Sequence, residues 1–219
     1  LLMLEPCSVA ETKEVVIKAF DISERLELPV LVRLVNRICH SRADVALGPI
    51  KVERRKGDFK KDRRWVMIAG SSPNRHKWLH QQQEEIQKIA EELTLNRLER
   101  KGSELGIIAA GATYTYVKDA LRYLELTEKV SILKIGTYPL PRNLIQQLLD
   151  VTDAILVFED VEPIIEKRLK EIAFDEGKKC TIRGKLSVDV QRERDLNVDA
   201  VAEPIGRIMG VKYPSLTIE

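Results

Sequence analysis

The second half of the chain alternates short apolar runs with amphipathic runs, and this alternation restricts the fold more than any other feature. The apolar runs are LGIIAAG (105–111), VSILKIG (130–136) and AILVFED (154–160). Each is followed by a stretch with apolar residues at helical spacing: TYVKDALRYLEL (115–126), PRNLIQQLLD (141–150) and EPIIEKRLKEIAF (162–174). Strands that are apolar on both sides lie in parallel sheets covered by helices on both faces. We therefore predict an α/β domain with a doubly wound, mostly parallel sheet, to which KKCTIRGKLSVDV (178–190) adds a last short strand.

An α-β segment precedes this domain. Ser8 and Glu11 have the S-x-x-E spacing of a capping box, which predicts a helix over residues 8–26. The run LPVLVRLVNRI (28–38) predicts a strand, with Pro29 at its entrance, where the missing N–H does least harm. One helix and one strand cannot form a core of their own, so we expect them to belong to a second α/β domain. The opening LLMLEPCSVAETKE shows no clear start to a fold, and we expect it to come from the middle of a longer sequence.

Composition excludes several classes of protein. The 219 residues are 44% hydrophobic and 32% charged, as in folded globular proteins, and the formal charge is only +2, so a global electrostatic bias gives no clue to function. Cys7, Cys39 and Cys180 are far apart and form no C-x-x-C pair, which argues against a disulfide framework and a cysteine metal site. No apolar run approaches the roughly 20 residues of a membrane span, and no signal peptide is recognisable. We therefore predict a cytoplasmic protein with no membrane partner.

A linker is predicted over residues 41–75. Within it, KVERRKGDFKKDRR (51–64) holds eight basic and three acidic residues, which could form a patch for nucleic acid or phosphate. No aromatic platform and no binding motif accompanies the charge, so we favour a solvated connector and expect no nucleic-acid partner. SSPNRHKW (71–78) ends the linker with turn-forming residues.

A long helix is predicted next, over about residues 75–100. Six apolar residues share one of its faces: Leu79, Ile86, Ile89, Ala90, Leu93 and Leu98. His76 and His80 are one turn apart and could share a metal ion, but the sequence offers no obvious third ligand. We therefore predict no metal site at this pair.

Three places at the carboxyl ends of the predicted strands are candidate sites, because helix N-termini there direct N–H groups at a ligand. The first is AAGATYTY (109–116), where Gly111, Ala112 and Thr113 lead into a helix. It matches neither G-x-G-x-x-G nor the P-loop pattern, so no nucleotide fingerprint is present. An anion cradle is one interpretation, and a tight turn capped by Thr113 or Thr115 is the one that we favour.

The second place is the corner ILKIGTYPLPRNLIQQLL (132–149). Pro139 and Pro141 restrict their own φ and bias Tyr138 and Leu140 toward extended geometry. Pro141 can also occupy the first helical position, where its missing N–H is not needed. No nucleophile, base or ligand is required to explain this pattern, so we predict that the corner only directs the following helix.

The third place is VFEDVEP (157–163). Glu159 and Asp160 follow a buried strand, and Glu162 falls in the first helical turn. A carboxylate there could be a general acid or base with a raised pKa, or it could interact with the helix N-terminus without any catalysis. No His or Lys is anchored nearby in sequence, so we favour the structural role.

These residues do not form a self-sufficient active site. The sequence shows no Ser-His-Asp order, no Cys-His nucleophile signature and no set of paired metal ligands. We therefore assign no catalytic, cofactor-binding or metal-binding residue.

Several segments resemble the 2-oxoacid:ferredoxin oxidoreductase family. MLEPCSVAETKEVVIKAFDISERLELPVLVRLVNRICHSRADV (3–45) resembles the end of the thiamine pyrimidine-binding domain of these enzymes, in which an EPS…QEA helix leads to P-V-x-x-R-x-x-x-R-x-x-H. GIIAAGATYTYVKDAL, ILKIGTYPLPRNLIQQLL and DAILVFEDVEPIIEKRL look like their transketolase C-terminal-like domain. DFKKDRRWVMIAGSSPNRHKWL (58–79) is similar to a linker of the indolepyruvate ferredoxin oxidoreductase alpha subunits. The resemblance covers most of the chain and is ordered along it.

This resemblance implies a domain organisation and an activity. Residues 1–40 would be the C-terminal end of the pyrimidine-binding domain, residues 41–75 a linker, and residues 76–219 the transketolase C-terminal-like domain. The enzymes would decarboxylate aryl pyruvates such as indolepyruvate oxidatively, with coenzyme A as acyl acceptor and ferredoxin as electron acceptor. Their cofactors would be thiamine diphosphate, magnesium and iron–sulfur clusters, and their further parts the rest of the alpha subunit and a beta subunit.

The chemical parts of the family pattern are expected outside this chain. The resemblance puts the glutamate that activates the thiamine ring upstream of residue 1, and the diphosphate and magnesium site downstream of residue 219. Three scattered cysteines cannot replace the cysteine-rich ferredoxin segment. We therefore expect a fragment that binds none of these cofactors and is inactive alone. Within the match, Cys7 stands where Ser is common, and RLVNRICH (33–40) replaces a strand richer in Thr.

Three alternatives stay open. The first is a non-catalytic assembly module that binds a partner subunit through the α/β domain. The second is the equivalent subunit of an enzyme for another 2-oxo acid, such as pyruvate, because the substrate pocket is not in this chain. The third and weakest is a nucleic-acid binder that uses residues 51–64.

Overall fold

The structure is a computed structural model that describes residues 1–49 and 61–214. Its strands are β1 (Leu2–Leu4), β2 (Val30–Val32), β3 (Arg97–Glu99), β4 (Leu105–Ala110), β5 (Val130–Ile135), β6 (Thr137–Tyr138), β7 (Ala154–Phe158) and β8 (Thr181–Arg183). Its α-helices are α1 (Val9–Leu26), α2 (Asn36–His40), α3 (Ser72–Glu92), α4 (Thr113–Tyr123), α5 (Arg142–Leu149), α6 (Ile164–Asp175) and α7 (Val198–Met209). A short 3₁₀ turn covers Arg63–Trp65.

The main sheet has five strands in the order β3-β5-β4-β7-β8. Three of its four pairings are parallel, and they place Ile107 of β4 opposite Ile132 of β5 and Leu156 of β7; only β3 runs antiparallel, against β5. The short strand expected within residues 178–190 is β8, at one edge. The predicted doubly wound, mostly parallel α/β sheet is therefore confirmed.

Helices cover both faces of this sheet. Helices α4 and α7 pack on one face, where Val117, Leu121 and Ile205 are buried. Helices α5 and α6 pack on the other face, where Ile145 and Leu169 are buried. Every residue of β4 is buried, which explains why its sequence is apolar throughout rather than alternating.

The N-terminal segment forms a second sheet with the corner at residues 132–149. The order is β2-β1-β6, with β1 parallel to β2 and antiparallel to β6. Helix α3 packs against this sheet, because its Ile86 and Ile89 belong to the apolar cluster around Leu2 and Leu4. The N-terminal segment is thus joined to the α/β domain through a shared sheet and a shared core.

Three predicted elements differ from the structure. The long helix ends at Glu92, because Asn96 turns the chain: its Nδ2 donates to the carbonyl of Ala90 at 2.7 Å and its Oδ1 accepts from the N–H of Gly136 at 2.8 Å. Leu98 therefore lies on β3 rather than on a helical face. The predicted strand over residues 28–38 is limited to β2 and is followed by α2, and α7 was not predicted at all.

The predicted linker is only partly described. Residues 50–60, which include most of the basic run 51–64, lie outside the described residues, so that patch stays a prediction. Within the described ranges, no helix has both the length and the apolar character needed to cross a bilayer.

Candidate functional site

The strand order reverses between β4 and β7, and the carboxyl ends of these strands open a crevice. Helix α4 leaves β4 toward one face of the sheet, whereas α6 leaves β7 toward the other face. Such a switch point is where ligands bind in open α/β sheets. Here the N-terminal segment covers one side of it, so the walls come from four separate parts of the chain.

The crevice encloses a cavity of about 240 Å³. Its walls are residues 33–37 from the loop after β2, Ala112 and Tyr116 from α4 and its approach, Asp160 and Val161 after β7, and Asp195 and Leu196 before α7. Two arginines and two aspartates face this small volume, which therefore presents both signs of charge.

Glu5 is a buried carboxylate beside the crevice, directly after β1. Its Oε2 accepts from Nη1 of Arg33 at 2.9 Å and from the hydroxyl of Tyr138 at 3.1 Å. Its Oε1 is buried and has no hydrogen-bond partner among the described residues. Burial raises the pKa of Glu5, although the Arg33 guanidinium opposes the shift.

Arg33 connects this carboxylate to the crevice. Its Nη1 bonds Glu5, and its Nη2 lies 3.4 Å from the carbonyl oxygen of Asp160. Burial lowers the pKa of Arg33, but Glu5, Tyr138 and Asp160 together outweigh this effect, so the net shift is upward and the guanidinium stays charged. Arg33 therefore ties the loop after β2 to the loop after β7.

Tyr116 and Arg37 form the outer wall. The guanidinium of Arg37 lies 5.6 Å from the centre of the Tyr116 ring, within the range of a cation–π contact. Burial raises the pKa of Tyr116 and also that of Asp160, while Arg33 and Lys185 oppose the shift at Asp160. A half-buried carboxylate that resists ionisation is common in ligand sites, but it also occurs in structural networks.

Glu159, one of the acid–base candidates from the sequence, caps α6. Its Oε2 accepts from the N–H of Ile165 at 2.7 Å and its Oε1 from the N–H of Glu166 at 2.9 Å. Burial raises the pKa of Glu159, and these two N–H donors oppose the shift. The carboxylate is thus engaged at the helix N-terminus, which agrees with the structural role favoured from the sequence. Glu162 is exposed and pairs with Arg192 at 2.8 Å.

The turn at Gly111 differs from its predicted capping pattern. Ala112 is the residue that precedes α4, and it makes no side-chain cap. The hydroxyl of Thr113 instead lies 2.7 Å from the carbonyl of Ala110 and 3.0 Å from that of Phe158, and the hydroxyl of Thr115 lies 2.8 Å from the carbonyl of Ala112. The prediction that Thr113 or Thr115 caps the helix is therefore wrong. Thr113 links the ends of β4 and β7, which keeps the base of the crevice closed.

The proline corner contributes one group to the site. Tyr138, which precedes a cis peptide bond to Pro139, donates to Glu5, as described above. Pro141 stands one residue before α5 rather than at its first position. The free N–H groups of Arg142 and Asn143 donate to the two oxygens of Glu91, at 2.7 and 3.2 Å. The corner thus directs α5 as predicted, but it also completes the hydrogen bonding of Glu5.

From the sequence, Asp160 was a candidate site residue, whereas Glu5, Arg33, Arg37 and Asp195 were given no role, although the first three lie in the segment that resembles the pyrimidine-binding domain. A further signal was present, because Glu5 directly follows an apolar run and precedes a proline, as residues at the carboxyl end of a strand often do. That run, LLML, has only four residues, too few to be recognised as a strand, and three of them form β1. Among the described residues, no group of three or more His, Cys, Asp or Glu side chains is placed to hold a metal ion.

The comparisons with known proteins decide the family. The profile of the indolepyruvate oxidoreductase domain family matches residues 96–213, more than half of the chain. The chain belongs to this family. The matched range contains the whole five-stranded sheet, both helical layers, and the crevice walls contributed by α4, β7 and the loop before α7.

Curated relatives match nearly the whole chain. The indolepyruvate oxidoreductase subunit IorA of Pyrococcus abyssi is 37% identical over 223 residues, which cover 97% of this chain and 34% of the relative. The IorA subunit of Methanothermobacter marburgensis is 33% identical, over 99% of this chain and 35% of the relative. The chain therefore spans about a third of the length of these relatives.

Two solved structures share the fold. A 2-oxoglutarate:ferredoxin oxidoreductase from Magnetococcus marinus, solved with 2-oxoglutarate, coenzyme A and succinyl-CoA bound, superposes with a TM-score of 0.62 at 14% identity, over 95% of this chain and 42% of that one. A split-gene transketolase, described as an inactive beta4 tetramer, gives 0.54 at 17% identity, over 97% of this chain and 58% of that one. Both cover the N-terminal segment and the α/β domain together.

Proposed function

We propose that this chain is part of the alpha subunit of a thiamine diphosphate-dependent indolepyruvate ferredoxin oxidoreductase. The full enzyme would decarboxylate an aryl pyruvate oxidatively, transfer the acyl group to coenzyme A and pass the electrons to ferredoxin, in the cytoplasm and with a beta subunit as partner. The observation that carries the proposal is the match to IorA subunits over 97% of the chain.

The residues of this chain do not fit the cofactors of such an enzyme. Thiamine diphosphate needs a divalent ion held by side-chain oxygens, and the described residues offer no group of three acidic, histidine or cysteine ligands. Iron–sulfur clusters need sets of cysteines, whereas Cys7, Cys39 and Cys180 are isolated. We therefore derive no catalytic step through these groups and propose that thiamine diphosphate, magnesium and the clusters are held by other parts of the enzyme.

The role of this chain would be to connect and position. Residues 1–40 would be the end of the pyrimidine-binding domain, residues 41–75 a linker, and residues 76–219 the transketolase C-terminal-like domain. Glu5, Arg33 and Tyr138 support this role, because together they fix the first of these parts to the third. The chain would thus hold two domains of the enzyme in a defined orientation, and it would have no turnover of its own.

Two assays test this function. The isolated chain, supplied with thiamine diphosphate, magnesium, coenzyme A, indolepyruvate and a viologen acceptor, is expected to show no turnover. A chimera in which this chain replaces the matching third of the Pyrococcus abyssi IorA subunit, expressed with the other subunit of that enzyme, is expected to reduce the acceptor with indolepyruvate and not with pyruvate or 2-oxoglutarate. A folded, assembled chimera without activity would favour a non-catalytic module, and activity of the isolated chain would contradict the connecting role.

A further inference from the structure

Helix α3 carries two histidines whose ring nitrogens face each other on its exposed surface. His76 and His80 are one turn apart, so their side chains are neighbours on one face. Their Nε2 atoms are 3.1 Å apart, their ring centroids are 4.5 Å apart, and the rings are nearly perpendicular, at 88°. Both side chains are accessible from solvent.

This separation is the one that a shared metal ion requires. Two nitrogens bound to one ion at about 2.05 Å lie about 2.9 Å apart when they subtend 90° and about 3.3 Å apart at the tetrahedral angle. The observed 3.1 Å falls between these values.

A simple hydrogen bond fits the same pair less well. A linear N–H···N bond of this length would hold the two ring centroids roughly 5.4 Å apart. The centroids are 4.5 Å apart, so the two rings are not both aligned along the line that joins their Nε2 atoms. Two imidazoles that bind one metal ion direct their Nε2 lone pairs at the ion rather than at each other. Rings that are not aligned along the line between the nitrogens are expected in that arrangement.

The surroundings of the pair also favour a cation. The groove beside it is lined by Leu1, Leu28, Leu79, Gln83 and Glu84, whose only charged side chain is a carboxylate. The nearest arginine along the helix, Arg75, is held elsewhere, with its guanidinium 3.3 Å from the centre of the Trp78 ring. Glu84 lies one turn beyond His80 on the same face, where it adds negative potential along the helix.

We propose that His76 and His80 chelate one divalent transition-metal ion through their Nε2 atoms. Imidazole nitrogens suit Cu²⁺, Ni²⁺ and Zn²⁺, whereas Mg²⁺ and Ca²⁺ prefer oxygen ligands. The described residues supply two ligands at this place, and water would fill the other positions and leave the ion open to exchange. The general order of affinities for such sites puts Cu²⁺ above Ni²⁺ and Zn²⁺.

Titration calorimetry on the untagged chain tests the site with each ion alone. We expect one equivalent of Cu²⁺, Ni²⁺ or Zn²⁺ to bind and no saturable binding of Mg²⁺ or Ca²⁺. Loss of an outer-sphere partner already weakens metal sites about 10- to 100-fold, so His76→Gln and His80→Gln should each weaken binding at least about tenfold. His40→Gln is the matched control, because His40 is exposed and is the remaining histidine of the chain; it should leave the affinity unchanged.

Electron paramagnetic resonance of the Cu²⁺ form provides a second readout that does not depend on affinity. Hyperfine coupling to two imidazole nitrogens is expected in the unaltered chain and in His40→Gln, and coupling to one nitrogen in the other two variants. Equal affinities in all three variants, or no stoichiometric binding of any of the three transition metals, would show that the pair is only a hydrogen-bonded contact and would overturn the proposal.

Discussion

Gly111 approaches Glu5 so closely that the two residues fit only while position 111 has no side chain. A Cβ at Gly111 would lie 2.5 Å from Oε1 of Glu5, and the backbone there has a φ of +52°. Gly111→Ala should therefore destabilise the fold for two reasons: the left-handed backbone, which costs about 1 kcal/mol or more, and the clash with a buried carboxylate. Gly177→Ala is the control, since its φ is +64° and nothing lies within 4 Å of the added carbon. Urea unfolding should show a larger loss for Gly111→Ala than for Gly177→Ala, and equal losses would mean that Glu5 moves aside freely.

Arg33 is expected to stabilise the N-terminal segment at its junction with the α/β domain, because it bonds Glu5 and lies against the carbonyl of Asp160. Removing it leaves the Glu5 carboxylate, which is 1% exposed, without a cation. Breaking a fully buried ion pair lowers the free energy of unfolding by about 3–5 kcal/mol. Because 26% of the Arg33 side chain is exposed, we expect Arg33→Met to lower it by about 2–4 kcal/mol. Arg25→Met breaks a pair with Glu85 whose side chains are 57% and 33% exposed, and should cost only about 0–1 kcal/mol. Chemical denaturation of both variants would test this difference, which disappears if Glu5 is neutral and needs no partner.

The raised pKa of Glu5 predicts a distinctive pH dependence. Between its ordinary value of 4.5 and its higher folded value, the native state binds more protons than the unfolded state. The contribution of Glu5 to the free energy of unfolding therefore falls as pH rises through this window and is constant above it. Glu5→Gln cannot titrate, so the stability of this variant relative to the unaltered chain should increase as pH rises from 4.5.

Glu11 provides the opposite sign as a control. Burial would raise its pKa, but the hydrogen bonds from Lys134 and from the N–H of Cys7, together with the charge of Lys134, outweigh burial and hold the pKa below its ordinary value of 4.5. The stability that Glu11 contributes is thus present above pH 4.5 and is lost as pH falls through its folded pKa. The free energy of unfolding of each variant is to be compared with that of the unaltered chain as a function of pH. For Glu5→Gln the difference should change above pH 4.5, and for Glu11→Gln it should change below pH 4.5. Parallel profiles would contradict the assignment of either shift.

Local patterns in the sequence were sufficient to predict the sheet and its helices. The apolar runs became β4, β5 and β7 because both faces of the sheet are covered. The Ser8 half of the predicted capping box formed, since Ser8 Oγ accepts from the N–H of Glu11 at 3.2 Å, whereas Glu11 Oε2 accepts from the N–H of Cys7, one residue before the cap, at 2.6 Å. These signals act within one helical turn or one strand, so they can be recognised without knowledge of the fold.

The crevice could not be predicted in this way, because it depends on contacts between distant residues. Glu5 meets Tyr138 and Arg33 only after β1 has paired with both β6 and β2. The end of α3 depends likewise on Asn96 reaching Gly136. Helix α7, which was not predicted, has Asn197 capping its N-terminus and Gly210 in left-handed geometry after it, and it contains Pro204, a residue that is rare inside helices.

The junction between α3 and the proline corner leads to a last prediction. Pro141 leaves α5 without a side-chain cap of its own, and Glu91 supplies one from another helix by accepting from the N–H groups of Arg142 and Asn143. Loss of a helix cap typically costs about 1 kcal/mol, so Glu91→Ala should lower the free energy of unfolding by about that much. Glu92→Ala is the matched control, because the same substitution one residue further along α3 affects an exposed side chain. Amide hydrogen exchange should show faster exchange at Arg142 and Asn143 in Glu91→Ala alone. Equal stability and equal exchange in the two variants would mean that the proline corner holds the start of α5 without help from α3.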